Sequence, residues 1–277
     1  MKIWVWGYSA LMKKRFAQKP RRRGAPKKRA PKIAGPSPMP KEGYPMRVNK
    51  YLAHQGVATR RGADELVAKG HVLINGKVAN VGDKVDEDDV VELTQKRTPR
   101  TLHYYAYDKP RGVITHSPRE GEEDILMNVT LPKGVSGLFP VGRLDKDSHG
   151  LIILTNDGRV TDRLLNPDRD HEKEYRVKVE KPLRPAFKRS MEGGVNIEGY
   201  ETAPCKVHVT GPKSFTITLS EGKKHQIRRM VAAHHNVVTD LERVRIMNVR
   251  VDGMKAGELR PIQGEELAGF LSSLGLA

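Results

Sequence analysis

The sequence predicts an α+β fold in two unequal parts, and three observations lead there. Residues 46–93 carry two short helical patterns followed by strand-like runs around an Asn75-Gly76 pair. From Leu102 onward, strand-like runs and short helical stretches alternate irregularly, which points to a central antiparallel or mixed sheet. No segment repeats at a fixed period. At 277 residues there is interior enough for a real core, in one large domain or two smaller ones.

In the first part, Val48, Tyr51 and Leu52 recur at helical spacing until Gly56 breaks the pattern. Thr59 is placed to cap a second helix carrying Ala63, Leu66 and Val67, and Gly70 to close it. Apolar runs at 71–74 and 77–79 flank Asn75-Gly76, the strongest short hairpin signal. A third strand is expected at 90–93, after the acidic loop 86–89. Residues 94–101 are polar, contain Pro99 and read as a linker.

The second part, 102–277, opens with predicted strands at 104–107 and 112–115. Residues 151–154 have the length and branching of a buried strand and stop at the turn signal Asn156-Asp157-Gly158. A short helix follows at 160–165. Over 173–179 apolar residues alternate, with Tyr175, Val177 and Val179 on one face. Strands are expected at 206–209 and 215–219, a helix at 223–235, and a strand at 259–261 before a terminal helix near 264–274.

The formal charge of +17 is spread unevenly. Residues 1–45 hold 13 Lys/Arg against one Glu, whereas 46–93 hold 7 basic and 8 acidic residues. The excess is therefore mainly a property of the tail. Its Lys, Arg, Pro, Gly and Ala content cannot bury enough surface to offset chain entropy, so residues 1–45 are expected to be disordered. The tail reads as an arm for RNA phosphates. A solubilising extension, a start assigned upstream of Met46 and an organellar transit peptide are the other readings. Within 46–93, Arg47, Lys50, Arg60, Arg61 and Lys69 fall on the helical half, while most acids fall in 83–92. Two helices with one basic face suit the backbone of folded RNA; a solvated helix face is the plainer alternative.

Several chemistries drop out. The single cysteine, Cys205, excludes a disulfide framework and a Cys-based zinc site, and reads as a small buried residue rather than a nucleophile. No apolar stretch approaches the ~18–20 residues of a membrane span. Neither a P-loop nor a Gly-x-Gly-x-x-Gly run occurs. The stretch from Asp145 faintly matches a calcium loop, but its twelfth position is Asn156 rather than the required Glu. His234 and His235 are adjacent and no HExxH pattern exists, so the histidines do not suggest zinc.

What remains is a carboxylate beside a fixed cation: Arg143 and Asp145, two apart, just ahead of the buried strand. A second cationic segment, Lys223-Lys224-His225-Gln226-Ile227-Arg228-Arg229-Met230, lies downstream. On a helix Ile227 and Val231 share the core face, while Arg228 and Arg229 diverge by roughly 100°, so one of them at most enters a given pocket. An arginine paired with Asp145 would hold a carboxylate ionised, and such a carboxylate is either a structural ion pair or a nucleophile.

Two resemblances bear on that choice. Arg47-Val48-Asn49-Lys50-Tyr51-Leu52, Thr59-Arg60-Arg61, Lys69-Gly70-His71-Val72 and Ile74-Asn75-Gly76-Lys77 together resemble the S4 RNA-binding domain. Gly142-Arg143-Leu144-Asp145, Ser148-x-Gly150-Leu151, Asn156-Asp157-Gly158, Lys173-Glu174-Tyr175 and the 225–230 run resemble a pseudouridine synthase of the RsuA-type ribosomal branch. The match runs from 46 to about 270. Within that branch, residues 142–158, 170–175 and 241–249 are most similar to enzymes of large-subunit (23S) rRNA; some close relatives also modify the tyrosine tRNA anticodon loop.

The resemblance implies isomerisation of a uridine in RNA to pseudouridine, with no redox, metal or nucleotide cofactor. It implies Asp145 as the catalytic carboxylate and Arg143 as the filler of the gap left by the flipped nucleotide. Tyr175 would stack on the flipped uracil, Arg228 would pair with Asp145, and Ile227 would pack against the pocket. A monomeric cytoplasmic enzyme of ribosomal RNA is expected, with no membrane association. Two alternatives are the same chemistry on tRNA or small-subunit rRNA, and a non-catalytic RNA-binding ribosome-assembly factor.

Overall fold

The computed structural model describes residues 43–95, 101–116, 121–166 and 169–276. The expected basic arm lies outside these up to residue 42, as do linker residues 96–100. Tyr44 packs against the core of the first module, so that module begins ahead of Met46.

The first module contains β1 (Met46–Arg47), α1 (Val48–His54), α2 (Arg60–Ala68), β2 (Val72–Ile74), β3 (Lys77–Val78), β4 (Lys84–Val85) and β5 (Val91–Leu93). Val48, Leu52, Ala63, Leu66 and Val67 leave their two helices on one side each and meet Val72, Val85 and Val91 in a single small core. Thr59 caps α2, its hydroxyl accepting from the amide of Gly62 at 3.1 Å. Asn75 and Gly76 both adopt positive φ (51° and 77°), as a two-residue hairpin with a primed turn requires. Replacing Thr59 by Ala should lower the stability of this module by about 1 kcal/mol, read from denaturant unfolding of the full chain; an unchanged midpoint would show that α2 is held by packing alone.

The second part is built on a nine-stranded mixed sheet. Its strands are β6 (Tyr104–Lys109), β7 (Phe139–Val141), β8 (His149–Thr155), β9 (Lys173–Val179), β12 (Lys206–Gly211), β13 (Ser214–Leu219), β14 (Val238–Ile246), β15 (Val249–Arg250) and β16 (Leu259–Pro261). A small hairpin, β10 (Asn196–Ile197) and β11 (Tyr200–Glu201), stands apart. The helices are α3 (Ile125–Asn128), α4 (Gly158–Leu164), α5 (Phe187–Glu192), α6 (Gln226–Ala233) and α7 (Gly264–Ser273). The main path runs β12-β13-β9-β14-β8-β6-β16, with β7 on β8 and β15 on β14. Every pairing is antiparallel except β8 with β14, which is parallel.

Side-chain pattern explains where the sheet is covered. Along β6 and β8, Tyr104, Ala106, Leu151 and Ile153 enter one core while Tyr105, Tyr107, Ile152 and Leu154 enter another on the opposite face. Both faces are dry, so these strands read as continuous apolar runs. Along β9 and β13 only alternate residues (Val177, Val179, Phe215, Ile217, Leu219) are buried, under α5 and α6. That half of the sheet is packed on one face and polar on the other.

Two expected elements differ. Residues 112–115 form no strand; Ile114 makes one isolated bridge to Asp124 and Thr115 bonds to the loop before β8 instead. The helix expected over 223–235 is confined to Gln226–Ala233, because His225 (φ 53°) and His235 (φ 58°) take left-handed backbone at its two ends. The long β14 shows in the sequence only as a motif. Its Thr, Asp, Glu and Arg residues and two register shifts hide any simple alternation. The two parts touch through α1 and α4, where Lys50 pairs with Asp162 at 3.3 Å and His54 is buried.

Candidate active site

Asp145 lies in the loop between β7 and β8, and the loop is pinned from several directions. Leu144, one residue before, is buried in the core that also holds Ile152 and Leu154. Its amide and carbonyl both bond the hydroxyl of Thr115, at 3.0 and 2.7 Å. Ser148 donates its amide to the Asp145 carbonyl at 3.1 Å, closing a turn around Lys146 and Asp147. The carboxylate of Asp145 emerges from this frame with its side chain 40% exposed, open to a ligand.

Two buried cations hold the frame from beneath. Lys109, fully buried at the end of β6, donates to the carbonyls of Val113 (2.6 Å) and Pro110 (2.9 Å) and reaches that of Lys146 at 3.5 Å. Burial pulls its ammonium down to about 8, against the opposing pull of Asp145 and Asp147. Arg243, on β14, donates Nε to the Leu151 carbonyl (2.7 Å) and Nη1 to the Arg143 carbonyl (3.4 Å). It thus ties both ends of the 143–151 segment to one guanidinium. Lys173 at the start of β9 is also held near 8, by burial and then by the charge of Arg243. Carbonyl dipoles at short range are what make such buried cations tolerable.

Gly150 explains how β14 comes so close. It sits at φ +100°, opposite Arg243 in the parallel pair, and a Cβ there would lie 2.4 Å from the Arg243 carbonyl oxygen. The register shift of β14 between Arg243 and Arg245 occurs at the same place, a bulge beside the loop it supports.

The expected site residues divide as follows. Tyr175, on β9, is half-buried between Ile217 and Arg243 in register and packs into two cores at once, so it is a fixed wall where they meet. Ile227 is buried on the inner face of α6, as expected. Arg143 is exposed, and the fold grips its carbonyl rather than its guanidinium. Arg228 does not pair with Asp145: it donates to the Ser148 hydroxyl at 3.2 Å and the Val238 carbonyl at 3.4 Å. With α6 starting only at Gln226, Arg228 falls in its first turn and points at the foot of the loop. Among the described residues, the side chain that meets the Asp145 carboxylate is His225, Nε2 to Oδ1 at 3.5 Å. Arg229 bonds the carbonyl of Ile197 (2.8 Å) and Glu198 (2.7 Å) on the small hairpin.

In the first module, Arg47, Arg60, Arg61 and Lys69 are exposed as expected for phosphate contacts. Lys50 is the exception, since Asp162 across the domain contact already engages it. Cys205 donates to the Met191 carbonyl, and burial raises its thiol to about 11, which disfavours the thiolate a nucleophile needs. Lys109, Thr115 and Arg243 do not stand out in the sequence as site residues. The signal that could mark Lys109 is a lysine closely following the apolar run 104–107 and directly ahead of Pro110.

A compact module with one basic helical side stands in front of a mixed sheet that carries an open carboxylate in a pinned loop, an arrangement that suits an enzyme acting on RNA. Residues 46–91 match the S4 domain, and residues 103–233 match the family described as RNA pseudouridylate synthase. The chain is 43% identical over 225 residues to the dual-specificity RNA pseudouridine synthase RluF of Salmonella typhi, covering 80% of this chain and 77% of that one. It is 32% identical over 231 residues to ribosomal large subunit pseudouridine synthase B of Bacillus subtilis, covering 80% and 93%. A crystal structure of a pseudouridylate synthase superposes with a TM-score of 0.61 at 27% identity, covering 81% of this chain and 99% of that one. The chain belongs to the RNA pseudouridine synthases and carries an S4 domain ahead of the catalytic sheet.

Proposed function

We propose that this enzyme isomerises one uridine of large-subunit ribosomal RNA, with Asp145 as the reacting carboxylate. The observation that carries the reading is the combination at residue 145: a half-exposed carboxylate in a loop pinned by the buried Thr115, Lys109 and Arg243. Isomerisation breaks the bond from N1 to C1′ and forms one from C5 to C1′. The C5 proton leaves and N1 gains one, so atoms balance without a cofactor. The target must leave the helix stack, at a cost of a few kcal/mol that a flat cation and an aromatic wall offset in part. In this reading Arg143, which is exposed, occupies the vacated space, Tyr175 stacks on the flipped uracil, and Ile227 and Arg228 line the pocket behind it.

Relatives named for large-subunit RNA and for dual specificity support ribosomal RNA as the first substrate to try. Total RNA incubated with the enzyme, labelled chemically at pseudouridine and mapped, should show a new position in large-subunit rRNA. A product confined to tRNA or small-subunit rRNA would overturn the substrate, and RNA binding with no product anywhere would overturn the enzyme.

Residues 102–277 form the catalytic domain in this reading, joined by a linker at 94–101. The enzyme acts as a monomer in this reading. No helix among the described residues is long and apolar enough to cross a membrane, and with one cysteine the chain suits the reducing cytoplasm. The 13 Lys/Arg of residues 1–45 act as an electrostatic arm. Their deletion should weaken RNA binding more at about 50 mM than at about 300 mM salt and flatten the plot of log K against log salt. An unchanged slope would contradict the arm.

A further inference from the structure

We infer that His225 is the positioning residue of Asp145, holding the carboxylate aimed across the mouth of the site. This rests on Asp145 being the reacting group. His225 Nε2 lies 3.5 Å from Asp145 Oδ1, and the two side chains are 49% and 40% exposed, so the contact forms at the opening and not in a core. The role expected for Arg228 is thereby taken by the residue three positions earlier, at the very start of α6.

The backbone gives an independent indication. His225 occupies the N-cap of α6 at φ 53°, ψ 29°, left-handed geometry that residues with a Cβ rarely adopt. A histidine here does not cap the helix, since its side chain makes no capping bond. Local structure would be served as well or better by glycine or asparagine. The side chain's contact is with Asp145, and unusual backbone of this kind gathers at functional sites.

The surrounding charges leave His225 free for that contact. From the loop, Asp145 faces it, with Lys109 lying beneath Asp145. From the hairpin side, Glu198 is taken by Arg229, and Glu221 accepts from Tyr200 and from the Gln226 side chain. Lys223 lies over the Tyr200 ring, 4.4 Å from its centroid. The hairpin, α6 and the turn at 223–225 therefore form one braced unit that presents the imidazole. Contacts of this sort are long without substrate and tighten in the closed complex.

His225→Gly is the decisive variant, because glycine accepts the left-handed backbone and removes only the imidazole. The full-length variant should melt at or above the wild-type temperature and bind substrate RNA within about twofold. Its single-turnover rate should fall by about 10- to 100-fold, the scale of a misaimed reacting group. Added imidazole should restore part of that rate, which a purely structural role would not allow. A rate within twofold of wild type, or a loss confined to RNA affinity, overturns the inference. Asp145→Asn run in parallel separates the two claims. Turnover in that variant removes the reading on which His225 depends, whereas an inert Asp145→Asn beside a fully active His225→Gly removes His225 alone.

Discussion

Asp145→Asn should leave a folded, RNA-binding protein that makes no pseudouridine. The substitution is nearly isosteric, and the loop is held through Leu144, Ser148 and the carbonyls of Arg143, Lys146 and Leu151, while Lys109 keeps its carbonyl partners and Asp147 when the charge of Asp145 is removed. The amide would weaken the contact with His225 at the half-exposed mouth, and exposed polar contacts of this kind contribute little to stability. The chemistry responds differently. If the carboxylate reacts with the nucleotide, its amide is no substitute, and losses of about 10⁴-fold or more follow removal of such a group. Chemical labelling of pseudouridine after single-turnover incubation measures the rate, and thermal melting with filter binding checks fold and affinity. Turnover within tenfold of wild type would refute the assignment. A collapse in melting temperature would instead give Asp145 a structural part that the hydrogen bonds do not predict.

Part of the proposed site is legible in the sequence, and the part that is not has a common character. Asp145 stands out by local pattern, a charged residue just before a buried strand, whereas Tyr175 and Ile227 read by pattern as packing residues and enter the proposed site only through the family resemblance. The interactions that fix them are long-range. Lys109 reaches Lys146, 37 positions on; Arg243 reaches back 92 positions to Leu151; Arg228 meets Ser148 across 80. Nothing in a window of about ten residues shows such pairings. The left-handed turn at His225 is equally hidden, because a histidine inside a basic, helix-like run gives no reason to start the helix late. That single backbone choice shifts Arg228 to the first turn and hands Asp145 a different partner. In the fold, the doubly covered strands and the capped helices are legible from burial period and turn chemistry. β14 is not, because its function as a support puts charged residues where alternation would have put apolar ones.

Gly150→Ala should be among the most destabilising single substitutions in the chain, although it adds one methyl group. Two effects act together at this position. The backbone is at φ +100°, where an L-residue is strained by about 1–3 kcal/mol. The new Cβ would also meet the Arg243 oxygen at 2.4 Å and its nitrogen at 2.8 Å, both backbone atoms in a paired strand that cannot swing aside. Forced separation of packed elements costs about 1–3 kcal/mol more. A total of about 2–6 kcal/mol corresponds to roughly 5–20 °C in melting temperature for a domain of this size. Gly142→Ala is the matched control. It also has positive φ, 78°, but its Cβ would meet only the flexible end of Leu165 at 3.3 Å, so the loss should be smaller by half or more. The functional consequence follows from geometry. When β8 and β14 move apart, the Arg243 guanidinium leaves the carbonyls of Arg143 and Leu151, and the segment carrying Asp145 loses its support at both ends. Activity in the surviving folded fraction should therefore drop as well, measured per folded molecule below the melting transition. Stability of Gly150→Ala within about 1 kcal/mol of wild type would mean that β14 can retreat without cost, and that the closeness of the two strands is not what holds the loop.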